Sequence, residues 1–263
     1  MELRPLGSTG ILVSPLGLGT VKFGRNEQVK YPRPFAIPDD RRVAELLALA
    51  LDLGINLLDT APAYGSSEAR IGKLLPGPRD AWVIVSKVGE SFADGRSRFD
   101  FSAAATRRSV EQSLRRLGTE HLDAVLIHSD GDDLRILDRE PVLEALESLK
   151  QQGLIRAHGI SSKTLEGGLR AVELCDLVML TLNPAHREEL PVVQAARAAG
   201  RGVLVKKGLQ SGHVAGPQGV QGALDFVFAQ PGVSSVIVGT IDPGHLRQNV
   251  EAVEAAIATA SAR

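Results

Sequence analysis

The chain has 263 residues, 43% hydrophobic and 23% charged, with 30 Lys and Arg against 31 Asp and Glu. That balance is ordinary for a globular protein, and neither the basic excess of a nucleic-acid binder nor an acidic tail is present. No 18 apolar residues run together, which excludes a membrane-spanning helix as a partner for lipid, and Cys175, the single cysteine, excludes an internal disulfide and suits a reducing, cytoplasmic setting.

In chain order, MELRPLGSTG (1–10) lacks the apolar run of a secretory signal. GST-G between Leu3 and Ile11 reads as the turn of a β-hairpin. LGLGT (16–20) is a first short strand, followed by a loop (21–38) carrying Pro32, Pro34 and Pro38. Residues 39–54 show helical spacing, with Asp39 or Asp40 as cap and Gly54 as stop. INLLD (55–59) and the helix 66–75 form a second pair, and WVIVSK (82–87) and the helix 102–118 a third, with 91–100 between them read as loop. HLDAVLIH (121–128) pairs with the helix 139–153, IRAHGIS (155–161) with 164–174, and LVMLTLN (177–183) with 187–200. GVLVKK (202–207) with 221–230 and SSVIVG (234–239) with 243–258 complete the series.

Eight strand–helix pairs, with strands apolar at nearly every position, predict one (β/α)8 TIM barrel over residues 1–263, its bottom closed by the N-terminal hairpin. A doubly wound sheet is the competing architecture, but GLGT (17–20) does not complete the GxGxxG turn such a sheet uses. Trp82 is assigned to the core. The 21–38 loop, with Phe23, Tyr31 and Phe35, is expected to wall the pocket in place of a long C-terminal loop.

Reactive groups in a (β/α)8 barrel stand at the C-terminal ends of strands. Those ends carry Asp59 on the second strand with Tyr64 five residues on, Lys87 on the third and His128 on the fourth. Each alone has an ordinary reading: a helix cap, a packed aromatic, a solvated strand end, a core histidine. Together they have one use. A phenol titrates at about 10, so it is protonated at neutral pH. A neighbouring ammonium favours the phenolate, and a carboxylate keeps that ammonium charged. An imidazole beside them can orient a carbonyl oxygen. None of the four donates hydride, so a nicotinamide or flavin must. His158 has no His or Cys partner at ligand spacing, so no metal site is expected.

DTAPAYGSSEARIGKLL (59–75), VSK (85–87) and LIH (126–128) resemble, in that order, the signature blocks of the aldo-keto reductase family. LGSTGILVSPLGLGT (6–20), GIS (159–161) and VIVGTIDPGHLRQNVEAV (236–253) extend the resemblance over nearly the whole chain. It implies Tyr64 as general acid, Asp59 and Lys87 as the groups that tune it, and His128 as the residue that orients a small carbonyl substrate. It also implies a nicotinamide dinucleotide bound without a Rossmann domain, NADPH by preference and NADH as the other candidate. Gly19 and Thr20 on the first strand, and Gly239 and Thr240 on the last, would lie along that cofactor.

Three positions depart from the family pattern. Ser161–Ser162 stands where Ser-Asn grips the carboxamide, Met179 where a Gln does the same, and Lys206 where an aromatic stacks on the ring. Lys206 and Lys207 read equally as a solvated pair or as contacts to pyrophosphate or substrate. Gly208, Leu209, Ser211 and Gly212 would form a backbone cradle for phosphate. At the last helix, His245 takes the place of the residue that reads the 2′-phosphate, with Arg247 nearby, and Gln248 and Asn249 match adenine contacts. The expected function is NADPH-dependent reduction of an aldehyde or ketone. The alternatives are a non-catalytic nicotinamide-binding regulatory protein and, from another class, a Schiff-base aldolase using Lys87.

Overall fold

The computed structural model describes residues 1–214 and 219–262. The chain opens on an antiparallel hairpin of β1 (Arg4–Pro5) and β2 (Leu12–Val13). Leu6, Ile11 and Val13 are buried, and the hairpin is pinned by Ser8 N donating to Gly200 O at 2.8 Å and Ser234 Oγ donating to Pro5 O at 3.0 Å. Gly200 and Ser234 lie just ahead of barrel strands, so the hairpin closes the bottom as expected.

The barrel begins with β3 (Leu16–Gly19), α1 (Asp40–Asp52), β4 (Leu57–Asp59), α2 (Ser67–Leu74) and β5 (Val83–Val88). A second hairpin follows, β6 (Glu90–Ala93) and β7 (Arg96–Phe99). Then come α3 (Ala103–Leu117), β8 (Leu122–His128), α4 (Asp133–Arg139), α5 (Val142–Gln151), β9 (Ile155–Ser161) and α6 (Leu165–Leu174). The last quarter holds β10 (Leu177–Thr181), α7 (Leu190–Ala198), β11 (Gly202–Lys206), α8 (Gly219–Phe228), β12 (Ser235–Val238) and α9 (Pro243–Ser261). The eight strands β3, β4, β5, β8, β9, β10, β11 and β12 pair in parallel in that order and close on each other, which makes the fold a (β/α)8 barrel.

Strand side chains alternate between two sides, and the apolar residues divide accordingly. Leu57, Val83, Val85, Ala124, Leu126, Ala157, Leu177, Met179 and Leu204 pack inside the barrel on Leu6, Ile11 and Val13. Leu58, Ile84, Val125, Ile127 and Val178 face outward against the helices, including Leu47 of α1 and Leu146 of α5. Burying one such Leu or Ile contributes roughly 1.5–3 kcal/mol. Helix starts are set locally: the side chains of Asp39, Ser102, Thr164 and Asp242 cap α1, α3, α6 and α9, each worth about 1 kcal/mol. Trp82 is buried, its Nε1 donating to Pro76 O at 2.8 Å. Among the described residues no helix is long and apolar enough to cross a membrane.

Three details depart from the sequence reading. Residues 91–100 are not a loop: Glu90–Ala93 pairs with Arg96–Phe99 around Asp94-Gly95, whose φ values of 52° and 68° are those a two-residue hairpin turn requires. Residues 133–139 form α4, capped by Asp132 and anchored by buried Ile136 and Leu137. Phe23 is fully buried in the core and does not line the cleft at the barrel mouth, whereas Tyr31 and Phe35 of the same loop do.

Candidate active site

On six of the eight strands the inward alternation ends in a polar residue. β4 runs Leu57 then Asp59, β5 runs Val85 then Lys87, and β8 runs Leu126 then His128. On β9 the last inward position is Ser161, on β10 Thr181 and on β11 Lys206. The pleat that fills the barrel with aliphatic side chains therefore carries a ring of functional groups one step higher. Tyr64 joins them from the short turn Pro62–Tyr64 after β4.

Asp59 and Lys87 are 5% and 2% exposed, and Lys87 Nζ donates to Asp59 Oδ1 at 2.5 Å and to Thr60 O at 2.9 Å. Burial is the largest single influence on Lys87 and lowers its pKa, but Asp59 and Tyr64 together outweigh it and hold the ammonium above its ordinary value. Nζ lies 4.9 Å from the Tyr64 ring centroid. Burial pushes the Tyr64 phenol up to about 12, against the downward pull of Lys87 and with Asp59 adding to the rise. The expected lowering of the phenol is thus present but outweighed, and Tyr64 is a protonated acid at neutral pH. The His128 ring meets Tyr64 edge to face, with centroids 6.2 Å apart.

Sequence reasoning did not single out Glu90. It stands two residues beyond β5, and its Oε2 lies 2.6 Å from His128 Nδ1. Ser97 Oγ donates to its Oε1 at 2.5 Å, and the Arg25 guanidinium is 3.9 Å away. Against the upward pull of burial, His128, Ser97 and Arg25 hold the Glu90 carboxyl down at about 2. No periodicity marks Glu90; the Asp-Gly turn that folds 90–99 back on itself was the available signal.

The quartet opens into a cleft of about 1600 Å³ that reaches the N-terminus of α9. Gly19, Thr20, Ser161, Ser162, Met179, Lys206, Leu209, Ser211, Gly239, Thr240, His245, Gln248 and Asn249 all line it. Gly208 and Arg247 do not; Gly208 is turned toward Val236, where an added Cβ would come within 2.8 Å of Cγ1. Thr20 is tied into the wall, its Oγ1 donating to Asp59 O and accepting from Ser67. Lys206 is half-buried in the cleft wall, where Nζ donates to Ser161 Oγ at 2.8 Å and to Ser162 O at 2.5 Å. Burial drives its amine down to about 7, although Glu189 draws it up. Ser161 accepts that bond and so keeps its own O–H free to donate. Ser162 Oγ donates to Glu189 Oε2 at 3.1 Å.

A drug-sized ligand fills about 300–1,000 Å³, so this cleft has room for a dinucleotide with a small second molecule. Polar groups line both ends of the cleft, Ser161 and Lys206 near the quartet and the side chains of His245, Gln248 and Asn249 at α9.

The Aldo/keto reductase family model matches residues 15–219. L-galactose dehydrogenase of Arabidopsis thaliana is 30% identical, covering 96% of this chain and 88% of its own. Pyridoxine 4-dehydrogenase of Escherichia coli is 29% identical over 91% of this chain and 89% of its own. The crystal structure of a Pseudomonas aeruginosa protein assigned to the aldo-keto reductases superposes with a TM-score of 0.90 at 56% identity, covering 97% and 96% of the two chains. The holo form of an aldo-keto reductase from Bacillus halodurans gives a TM-score of 0.79 at 27% identity over 97% and 91%. With barrel, quartet and relatives in agreement, the chain belongs to the aldo-keto reductase family and is an oxidoreductase.

Proposed function

We propose that the chain reduces small aldehydes and ketones to alcohols with NADPH, Tyr64 acting as general acid. The observation that carries this reading is the buried Lys87–Asp59 pair set against the Tyr64 phenol at the mouth of a cleft that continues to α9. A reduced nicotinamide, when bound, supplies the hydride. Ser161, Ser162, Met179 and Lys206 would hold it at the catalytic end, and Thr240, His245, Gln248 and Asn249 at the α9 end. Tyr64 donates its proton to the carbonyl oxygen as charge develops there, and Lys87 stabilises the phenolate left behind. Asp59 keeps Lys87 charged throughout. That same charge counts against an aldolase, since an amine held protonated is a poor imine former.

NADPH over NADH rests on His245. Asp242 takes up the His245 backbone N–H at 3.0 Å, so the helix end offers an anion less than a bare N-terminus does. Discrimination between the two dinucleotides then falls to the side chains.

The test is Tyr64→Phe. Carbonyl reduction followed by loss of NADPH absorbance should fall roughly 100- to 10,000-fold, the usual worth of a positioned acid. NADPH affinity by fluorescence titration should stay within a factor of about two. Normal turnover in that variant refutes the assignment of the acid.

A further inference from the structure

We propose that Glu90 is the positioning residue of His128: its carboxylate fixes one proton on Nδ1, so that Nε2 alone faces the reacting oxygen, and it holds the imidazolium when Nε2 takes up a second proton. The pairing stands on geometry; its consequence for turnover rests on the reductase reading above.

His128 Nδ1 is shut off from solvent and lies 2.6 Å from Glu90 Oε2 in an ion-pair contact whose angle falls short of a hydrogen bond, and no other group bonds that nitrogen among the described residues. An ionised carboxylate at that separation requires a hydrogen on the nitrogen, because two lone pairs cannot face each other so closely. Oε1 of the same carboxylate is already engaged by Ser97 and faced by Arg25, which keeps Glu90 anionic and orients it. Arg25 is itself fixed, donating to Ala63 O at 3.1 Å and lying 3.4 Å from the Phe92 ring centroid. The backbone delivers Glu90 by a sharp turn. Gly89 has φ 96°, and a Cβ there would meet Phe101 Cε1 at 2.5 Å. Only glycine allows the chain to leave β5 after Lys87 and bring its next carboxylate round to β8.

The consequence concerns which nitrogen works. With Nδ1 protonated, neutral His128 has a bare Nε2, which accepts but cannot donate a hydrogen bond to a carbonyl oxygen. Donation needs the imidazolium. In reduction, hydride adds to the carbonyl carbon, the π electrons pass to oxygen, and oxygen takes the Tyr64 proton. Nε2–H of the imidazolium then returns a proton to the phenolate, leaving neutral imidazole still bonded through Nδ1–H to Glu90, and solvent reprotonates Nε2. The groups facing His128 are Glu90 from β6, Lys87 from β5, Lys206 from β11 and the Tyr64 ring. Burial, the largest influence, and the two lysines hold the His128 pKa below its ordinary value against the upward pull of Glu90, so the imidazolium is the minor form at neutral pH and Glu90 is what keeps it within reach.

Two measurements decide the matter. In the wild-type protein, ¹⁵N NMR of His128 at high pH should show the Nδ1-protonated tautomer. In Glu90→Gln, which keeps the shape and removes the charge, that tautomer preference should be lost, and the proton affinity of His128 should fall about tenfold or more. The reductase rate then drops about tenfold at neutral pH, its high-pH fall moves about one unit lower, and NADPH affinity does not change. Glu90→Asp, which keeps the charge, should retain more of the wild-type pH profile than Glu90→Gln. A wild-type Nε2–H tautomer, or a Glu90→Gln protein with unaltered tautomer and pH profile, overturns the proposal. If no carbonyl is reduced by any form of the protein, the reductase reading fails, while the NMR tautomer still decides for or against the pairing.

Discussion

Two layers of the barrel interior sit one above the other on the same strands. Leu57, Val85 and Leu126 fill the lower one, and Asp59, Lys87 and His128 the upper. The pleat is continuous between them, so the difference lies wholly in side-chain chemistry. The lower layer is stabilised by contact and exclusion of water. The upper one has buried charge that is tolerable only because each charge has a partner. The two hairpins repeat the contrast: the one at the bottom presents Leu6, Ile11 and Val13, and the one at the mouth presents Glu90.

The comparison can be broken most severely at Asp59. Asp59→Ala leaves the Lys87 ammonium buried without its counter-ion and should cost roughly 3–5 kcal/mol in denaturant unfolding. Adding Lys87→Met should recover most of that loss, because removing both charges leaves nothing unpaired. Leu126→Ala, one layer down, should cost about 2–5 kcal/mol with no second truncation able to restore it. A double variant as unstable as Asp59→Ala alone would mean that the upper layer is held by packing, like the lower.

The same contrast explains what was legible beforehand. Aliphatic runs ending in Asp59, Lys87 and His128 fixed both the strands and the ends that matter, because period-two burial and strand-end function are local patterns. Glu90 escaped because its role comes from a hairpin that carries it across to β8, a tertiary fact. The Asp94-Gly95 turn was nonetheless a readable hairpin signal. Helix α4 is short, and its charged residues outnumber the two apolar anchors, so periodicity said little. In the sequence Gly208 reads as part of a phosphate cradle with Leu209, Ser211 and Gly212; its Cα faces Val236 and it does not line the cleft, whereas the other three do. Lys206 left two readings open, and its bonds to Ser161 and Ser162 set it in the wall of the cleft.

Lys206 lets the upper layer be pushed toward the character of the lower. Its folded pKa of about 7 lies below the ordinary lysine value, with burial the largest cause. As pH falls from about 10.5 toward 7, the unfolded chain takes up this proton and the folded one does not. The folded state therefore loses ground over that window and carries the full penalty below it. Lys206→Met removes the penalty and should stabilise the protein by roughly 1–4 kcal/mol at about pH 6, with the gain fading by about pH 10. Loss of the attraction to Glu189 works the other way but is the lesser cause. A melting-temperature gain that is equal at every pH would show that the amine is not desolvated in the folded state.

The smallest effect belongs at the far end of the cleft, where the layers give way to exposed helix. His245 is exposed and Asp242 already occupies its backbone N–H, so under the proposed reading its imidazole would act on a 2′-phosphate across water rather than within the protein. Such a contact is worth about 1 kcal/mol or less, a few-fold in affinity. His245→Ala should accordingly weaken NADPH by roughly two- to fivefold and leave NADH unchanged, with Kd measured by fluorescence titration at low salt. Raising the salt should erase most of the difference, since an exposed pair is screened where Asp59 and Lys87 are not. Equal losses for both dinucleotides would move the phosphate away from His245 and leave the exposed rim without a part in choosing between them.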